Sequence, residues 1–165
     1  MKGTATKRIL IKVSGDLLDR DEVICLIRKK RAAGNDVVVL VGGGSAITAA
    51  LKTTDPVYEP DFGPLGRRLY SPTHEAIRRQ ELLQNRAEMR SRLLAEGIRG
   101  VTVTIPYVKI AGIEVPVNAD LLAVLALHTF DKVCICTLPE RVEKKNRELE
   151  FLIRGFEDKI EIVAV

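Results

Sequence analysis

The chain has 165 residues, a hydrophobic fraction of 46%, a charged fraction of 29% and a formal net charge of +4. This length suits one domain with a sizeable core, and the charged share argues against a membrane protein, since no run approaches the roughly 18 apolar residues that span a bilayer. The basic start, MKGTATKR, is not followed by a long apolar segment. We therefore expect no signal peptide and a cytoplasmic protein.

Cysteine and histidine are both sparse. The cysteines are Cys25, Cys134 and Cys136, and the histidines are His74 and His128. An odd, sparse set of cysteines is not a disulfide framework, and a metal site would need further ligands, so no metal ligand is assigned. Free cysteine is among the most buried residue types, and we expect these thiols to be structural and buried.

The first elements alternate strand, helix and strand. Arg8–Val13 (RILIKV) predicts a strand, and 19–33 predicts a helix with acids in its first turn and bases near its end. Gly34 suits the end of that helix. The continuous apolar run 37–41 predicts a strand buried on both faces, and short connections in this order imply a right-handed parallel crossover.

A glycine turn follows the second strand directly. Gly42, Gly43 and Gly44 lack a Cβ, so the backbone can turn sharply and lie close to a ligand, and Ser45 is predicted to cap a short helix over 46–51. A strand, a glycine turn and a helix N-terminus direct N–H groups at one point, which suits phosphate or carboxylate. The motif is neither GxGxxG nor a P-loop, and a plain strand-to-helix turn explains it equally well.

Residues 53–71 break the regular pattern. Their prolines, glycines and aromatics are Pro56, Pro60, Pro64, Gly63, Gly66, Tyr58, Phe62 and Tyr70. An irregular segment near twenty residues is usually a lid, a binding loop or a disordered stretch, and the aromatics favour a partly ordered lid.

Ser71 at the N-cap and Pro72 at the first helical position begin the longest predicted helix, which runs to about residue 96. The predicted buried stripe is Ala76, Ile77, Leu83, Ala87 and Leu94. The arginines of this helix are interpreted as a solvated face.

The second half returns to strands. We predict a strand over 101–105, a β-hairpin from 107–109 and 113–115, a helix over 121–128 and a strand over Lys132–Thr137, then a charged helix over 140–154 and a last strand over 160–165. The alternation predicts an α/β fold with a mostly parallel sheet, helices on both faces and one β-hairpin, in a single domain spanning 1–165.

Three motifs occur in order along the chain. RILIKVSGDLL (8–18) carries a strand, a lysine and a glycine turn, VVVLVGGGS (37–45) carries the second glycine turn, and VNADLLAVLAL (117–127) places an asparagine and an aspartate at a helix start. In this order they resemble the amino acid kinase family, which includes acetylglutamate, aspartate, uridylate and isopentenyl phosphate kinases. The segment 73–103 looks most like the last two branches. The resemblance implies a three-layer α/β/α fold.

The resemblance also implies a phosphoryl-transfer site, where positioning and charge neutralisation supply most of the catalysis. It implies catalytic roles for Lys12 and Asp120, the aspartate orienting catalytic lysines, and phosphate or nucleotide binding by Lys12, Ser14 and Gly15. The implied acceptor-binding residues are Gly42, Gly43, Gly44, Ser45 and Asn118. ATP and Mg²⁺ are the implied cofactors. On the residues alone, Lys12 reads as an exposed strand residue and Asp120 as a plain helix cap equally well.

The chain departs from the family pattern in its second part. Family members carry a second half that binds ATP and supplies another lysine, whereas about 45 residues follow Asp120 here, and LPERVEKK follows the strand in place of an aspartate-glycine loop. Thr48 stands where the isopentenyl phosphate branch has a histidine. We therefore expect the acceptor-binding half of the family fold, without the C-terminal nucleotide-binding half.

Three functions remain open from the sequence. The first is a reduced small-molecule kinase relative that binds an anionic metabolite or nucleotide, with transfer completed by a second subunit or a separate nucleotide-binding partner. The second is a non-catalytic, oligomeric binding or regulatory protein. The third and weakest is nucleic-acid binding through the helix arginines, because the chain has no Trp and no evident stacking aromatics. We expect a homo-oligomer, with neither membrane nor nucleic acid as a partner.

Overall fold

The computed structural model describes residues 6–63 and 65–165. Residues 1–5, part of the stretch used to predict the absence of a signal peptide, and Pro64 of the predicted lid lie outside these ranges. The strands are β1 (Arg8–Val13), β2 (Asp36–Val41), β3 (Phe62–Gly63), β4 (Gly66–Arg67), β5 (Thr102–Thr104), β6 (Tyr107–Ile110), β7 (Ile113–Pro116), β8 (Lys132–Thr137) and β9 (Ile160–Ala164). The α-helices are α1 (Asp21–Ala32), α2 (Gly44–Thr54), α3 (Pro72–Ala95), α4 (Ala119–Leu125) and α5 (Val142–Leu149).

Five parallel strands form the central sheet in the order β5-β2-β1-β8-β9. β1 lies at the centre, and Lys12 is in register with Leu40 of β2 and Ile135 of β8. Strands covered on both faces are apolar almost throughout, as the runs in β1, β2 and β8 are. The pairs β3–β4 and β6–β7 form two separate antiparallel hairpins. The predicted α/β class is confirmed.

Alternate residues of β1 point to opposite faces of the sheet, and each face has its own apolar cluster. Ile9, Ile11 and Val13 pack on the side of α1, α2 and α3. Leu10 packs on the side of α4 and α5. This gives three layers, helix, sheet and helix, and Lys12 shares the face of Leu10 because side chains along a strand alternate.

The start of α3 is as predicted, but its buried stripe is not. Ser71 Oγ accepts a hydrogen bond from the His74 N–H at 3.1 Å, which confirms the N-cap. The residues that α3 buries are Leu82, Asn85, Met89 and Leu93, whereas the predicted Ala76, Ala87 and Leu94 are exposed and Ile77 and Leu83 are half-buried. The prediction considered apolar side chains alone, whereas the buried face of α3 includes the polar Asn85.

Two further predictions need correction. The N-cap of α2 is Gly43, not Ser45, whose side chain instead contacts Asp16. The predicted helix over 140–154 begins as α5 at Val142 and ends at Leu149. The segment predicted as a partly ordered lid contains the short β3–β4 hairpin. Within 6–63 and 65–165, no helix has the length and apolar character needed to cross a membrane.

The thiols divide into two groups. Cys134 and Cys136 are buried in β8, as predicted. Cys25 is exposed, so the prediction of burial is wrong there. The inward face of α1 is formed by Val23, Ile24 and Ile27, and residue 25 lies outside that face.

Candidate functional site: a cationic cleft at the carboxyl edge of the sheet

A cleft of about 420 Å³ opens at the carboxyl ends of β1 and β2. We call it the central cleft. Because parallel strands end at the same edge, the turns after Val13 and Val41 meet there, beside the first turn of α4. Its lining includes the predicted residues Lys12, Ser14, Gly42, Gly43, Gly44, Ser45, Asn118 and Asp120. Gly15 is not among the lining residues and packs against Gly43.

A second opening, of about 780 Å³, lies on the side of α5 and is called the α5-side cleft. Thr137, Leu138 and Lys144 belong to its lining. The residues that line both clefts are Lys12, Ser14, Asp16, Ser45, Phe62, Arg141 and Lys145. The two clefts therefore adjoin at the residues around Lys12.

Asp120 holds a lysine on each of its carboxylate oxygens. Lys12 Nζ lies 2.8 Å from Oδ1, and Lys145 Nζ donates to Oδ2 at 2.8 Å. Lys145 also donates to Glu148 Oε2 at 2.7 Å. The side chains of Lys12, Lys145 and Asp120 are only 10%, 19% and 20% exposed, so this is a largely desolvated cluster.

The charges of this cluster depend on one another. Burial disfavours the carboxylate of Asp120, but the neighbouring ammonium groups of Lys12 and Lys145 outweigh burial and lower the Asp120 pKa. Burial likewise disfavours the ammonium of Lys145, and its hydrogen bonds to Asp120 and Glu148 outweigh that effect and raise the Lys145 pKa. The lowered pKa of Asp120 and the raised pKa of Lys145 both favour the charged forms of these two side chains.

Asn118 sets the position of Asp120. Asn118 is the N-cap of α4, and its Oδ1 accepts hydrogen bonds from the N–H groups of Asp120 and Leu121 at 2.9 and 3.0 Å. Its own N–H donates to the Leu65 carbonyl at 3.2 Å, which ties the β3–β4 hairpin to this turn. Asn118 therefore has a structural role in placing Asp120, whatever it contacts in a ligand.

The two glycine turns pack directly on each other. A Cβ on Gly15 would lie 2.5 Å from the Gly43 carbonyl oxygen, so this approach requires glycine. Asn85 of α3 donates through Nδ2 to the Gly42 carbonyl at 2.9 Å, and the Gly42 N–H donates to the Val13 carbonyl at 2.8 Å. These contacts hold the edge of the cleft in place.

The N-terminus of α2 already has an acidic partner. Asp16 Oδ1 accepts hydrogen bonds from the Ser45 N–H at 2.8 Å and the Ser45 hydroxyl at 2.6 Å. Gly44 has a φ of +60°, and a Cβ there would lie 2.6 Å from the same oxygen. The first turn of α2, predicted to offer its N–H groups to a ligand anion, thus directs one of them at an internal carboxylate.

The lining of the central cleft is nevertheless cationic. It contains the five cations Lys12, Arg67, Arg78, Arg141 and Lys145 against the two carboxylates Asp16 and Asp120. Such an excess of positive charge in a concave site favours anionic ligands. Within residues 6–63 and 65–165, no group of three or more His, Cys, Asp or Glu side chains is arranged to hold a metal ion.

The sequence predicted some of the residues that line this cleft and missed others. Lys12, Asp120, Asn118 and the glycines come together as expected, and the buried Asn85 and the paired Lys145 were not singled out. Lys145 lies 25 residues after Asp120 inside the charged run EKKNRELE. Lys145 and Glu148 are three residues apart, so the sequence indicates that they share one face of a helix. No nearby residue indicates that this face packs against α4.

The fold and the cleft define an α/β protein of the three-layer α/β/α class, with a cationic cleft at the carboxyl edge of its parallel sheet. The chain is similar to smu.665 from Streptococcus mutans UA159, whose crystal structure matches with a TM-score of 0.66 and 17% sequence identity, covering 79% of this chain and 72% of that one. At this identity the likeness shows the fold alone. No family model matches the chain, and no curated protein matches it.

Proposed function

We propose that this protein is a reduced relative of the amino acid kinases that binds a small anionic or phosphorylated metabolite in the central cleft. The observation that carries the proposal is the Lys12–Asp120–Lys145 cluster, in which one carboxylate holds two lysines at 2.8 Å where the two clefts adjoin. Two fixed ammonium groups at one point neutralise the charge of a phosphoryl group.

Each residue has a defined role in this proposal. Lys12 and Lys145 contact the anion, and Asp120 is a positioning residue that keeps both ammonium groups aimed at it. Arg141 lines both clefts and adds positive charge where they adjoin. In this proposal Lys145 acts as the second lysine that the family resemblance implies.

ATP with Mg²⁺ is proposed as the phosphoryl donor, bound in the α5-side cleft. Lys144, Lys145 and Arg141 give that cleft the cationic character that a polyphosphate requires. When bound, the nucleotide supplies the phosphoryl group, and the ion accompanies its phosphates. The residues of this chain bind and orient those phosphates and lower the cost of bringing two anions together.

The test is a binding and transfer assay on the full chain. Thermal shift and calorimetry with phosphate, ATP, UMP, acetylglutamate and isopentenyl phosphate, each with and without magnesium, identify a ligand, and labelled ATP then reports transfer. A ligand present at 100 times its Kd adds about 2.7 kcal/mol to stability, which is readily detected. We expect Lys12→Met and Lys145→Met each to weaken anion binding about tenfold or more, because each removes one charge-assisted contact.

Lys109→Met is the matched control, because Lys109 is an exposed lysine of the β6–β7 hairpin outside both clefts. It should bind like the wild type. Equal affinities in all three variants, with the same ligand, would refute the role given to the lysine cluster.

A second candidate function is non-catalytic binding or regulation with the same fold. The observation in its favour is the position of Asp16. Its carboxylate accepts a hydrogen bond from the Ser45 N–H at the start of α2 and adds negative charge beside the glycine turn. In this case ligands bind without transfer. Sustained ATP-dependent phosphorylation by the isolated chain excludes it.

We also propose that the chain self-associates. An apolar hollow of about 320 Å³ lies on the α4 side of β2, and Leu125 at its rim is 52% exposed. Its lining includes Val38, Leu122 and Phe130. Apolar surface of this kind is often covered by a partner, and a second copy is the partner we propose.

A further inference from the structure

Arg78 on α3 is a largely buried cation that none of the roles above explains. Its side chain is only 13% exposed. It lines the central cleft and also a neighbouring hollow of about 430 Å³, which includes Glu75, Arg67 and Pro116. Since a desolvated charge is costly without partners, its position beside two openings calls for an explanation.

Glu75 and Tyr107 hold Arg78 in place. Glu75 Oε2 accepts a hydrogen bond from Arg78 Nη2, and Glu75 Oε1 accepts the Tyr107 hydroxyl at 2.6 Å. Burial, and then the hydrogen bond to Glu75, raise the pKa of Tyr107 to about 12, so the phenol keeps its proton at neutral pH. Both oxygens of Glu75 are therefore engaged, and the guanidinium is positioned in advance of any ligand.

The guanidinium retains donors after this contact. It carries five N–H groups, of which one donates to Glu75 and another lies within hydrogen-bonding reach of the Tyr107 hydroxyl. Nε is buried and finds no partner within residues 6–63 and 65–165. Carboxylates and phosphates match the planar guanidinium group, and an anion in the central cleft would bind the N–H donors that Glu75 and Tyr107 leave free.

Arg78 and Lys145 lie towards different ends of the central cleft. Lys145 and Lys12 are shared with the α5-side cleft, and Arg78 and Arg67 are shared with the neighbouring hollow. Those two flanking spaces have no described lining residue in common. A volume of about 420 Å³ between them suits a metabolite that reaches both ends.

We propose that Arg78 binds a second anionic group of the ligand, so that the central cleft takes a small molecule with two anionic groups, carboxylate or phosphate, one at Lys12 and Lys145 and one at Arg78. This inference rests on the proposed function, because it takes the first anion at the lysines as given. It adds a restriction on the ligand class and a specificity-determining residue.

The test compares alkane diphosphonates, with chains of two to four carbons, with the monophosphonates of the same lengths by titration calorimetry. We expect at least one diphosphonate to bind the wild type about tenfold more tightly than its monophosphonate, the gain of one added charge-assisted contact. Arg78→Gln should remove that gain and lower monophosphonate affinity much less than diphosphonate affinity. Arg79→Gln is the matched control, because Arg79 is the next residue on α3 and pairs with Glu114.

The outcomes separate this inference from the proposed function. If the wild type binds monophosphonates but gains nothing from a second group, or if R78Q keeps the gain as R79Q does, the role of Arg78 is overturned and the lysine site stands. If no phosphonate and no phosphate binds the wild type, the proposed anion site itself fails. Should R78Q not fold, R78K keeps the charge without the planar fork and should reduce the gain about threefold; an unchanged gain in R78K overturns the inference.

Discussion

Asp120 is the residue where three separate parts of the chain meet. It lies in the first turn of α4, and its carboxylate contacts Lys12 of β1 and Lys145 of α5. Burial alone would favour its neutral form, and the two ammonium groups keep it charged. The chemistry of this side chain is thus set by residues 108 positions before it and 25 positions after it.

The lowered pKa of Asp120 predicts how stability depends on pH. An unfolded aspartate has a pKa of about 4, and the folded value is lower, so between the two the unfolded state binds more protons and the free energy of unfolding rises with pH. The stabilisation is fully present above about pH 4 and is lost as the pH falls through the folded-state value. Urea unfolding of the wild type and of Asp120→Asn, between about pH 3 and pH 7, measures it.

Asp120→Asn should be less stable at neutral pH, by about 3–5 kcal/mol, because the buried Lys12 loses its carboxylate partner and Lys145 retains Glu148. It should also lose less stability than the wild type on acidification. Asp36→Asn is the control, since the Asp36 side chain is exposed and lies 3.8 Å from Arg8, which is exposed as well. If the free energy of unfolding falls equally steeply on acidification in the wild type and in D120N, the prediction is contradicted.

At the scale of the element, the start of α3 depends on neighbouring residues, whereas its buried face depends on residues far away in the chain. Its first residue is set by Ser71 and Pro72, which act within one turn, and the sequence located it. Its buried line runs through Asn85, whose amide holds the Gly42 carbonyl. No local rule places an asparagine on a buried face, because the reason for its burial is a glycine turn 43 residues away.

The cap of α3 gives a prediction about stability. Ser71→Ala removes the oxygen that accepts the His74 N–H, and the expected loss is about 1 kcal/mol. For a chain of this length that corresponds to a Tm about 2–4 °C lower, measured by thermal unfolding. Thr73→Ala deletes a hydroxyl in the same turn that makes no cap contact, and should change the Tm little. A Tm for S71A that matches T73A would show that the cap contributes nothing.

At the scale of the whole molecule, the order β5-β2-β1-β8-β9 determines which residues are neighbours and which are protected. β8 returns beside β1 and places the later helix α5 next to α4, and this brings Lys145 to Asp120. The same arrangement buries Cys134 and Cys136 under a layer of helices, while Cys25 faces outward on α1.

This arrangement predicts a pattern of thiol reactivity. Burial raises the pKa of Cys134 and raises that of Cys136 to about 12, so neither forms the reactive thiolate in the folded state. Ellman's reagent at mild alkaline pH should label one thiol per native chain and all three in denaturant. Cys25→Ser should abolish the fast reaction and leave two thiols that react only on unfolding. Fast labelling of C25S would contradict the burial of β8.

Sequence by itself determined the elements and part of the site. Apolar runs, glycine turns and the cap at Ser71 act over a few residues, so they predicted the strands of the central sheet, the start of α3 and the alternating α/β class. The residues Lys12, Gly42–Gly44, Asn118 and Asp120 were located because each occupies the end of an element. Their meeting at one edge follows from the parallel direction of the strands.

Only the tertiary structure decided which side chains face one another. It paired Lys145 and Lys12 through Asp120, directed Asp16 at the start of α2 and left Arg78 between two openings. These contacts join residues far apart in the chain, and their energies depend on burial and on the sum of nearby charges. Neither quantity exists until the sheet is assembled, because a charge in water interacts weakly and the same charge in a desolvated cleft interacts strongly.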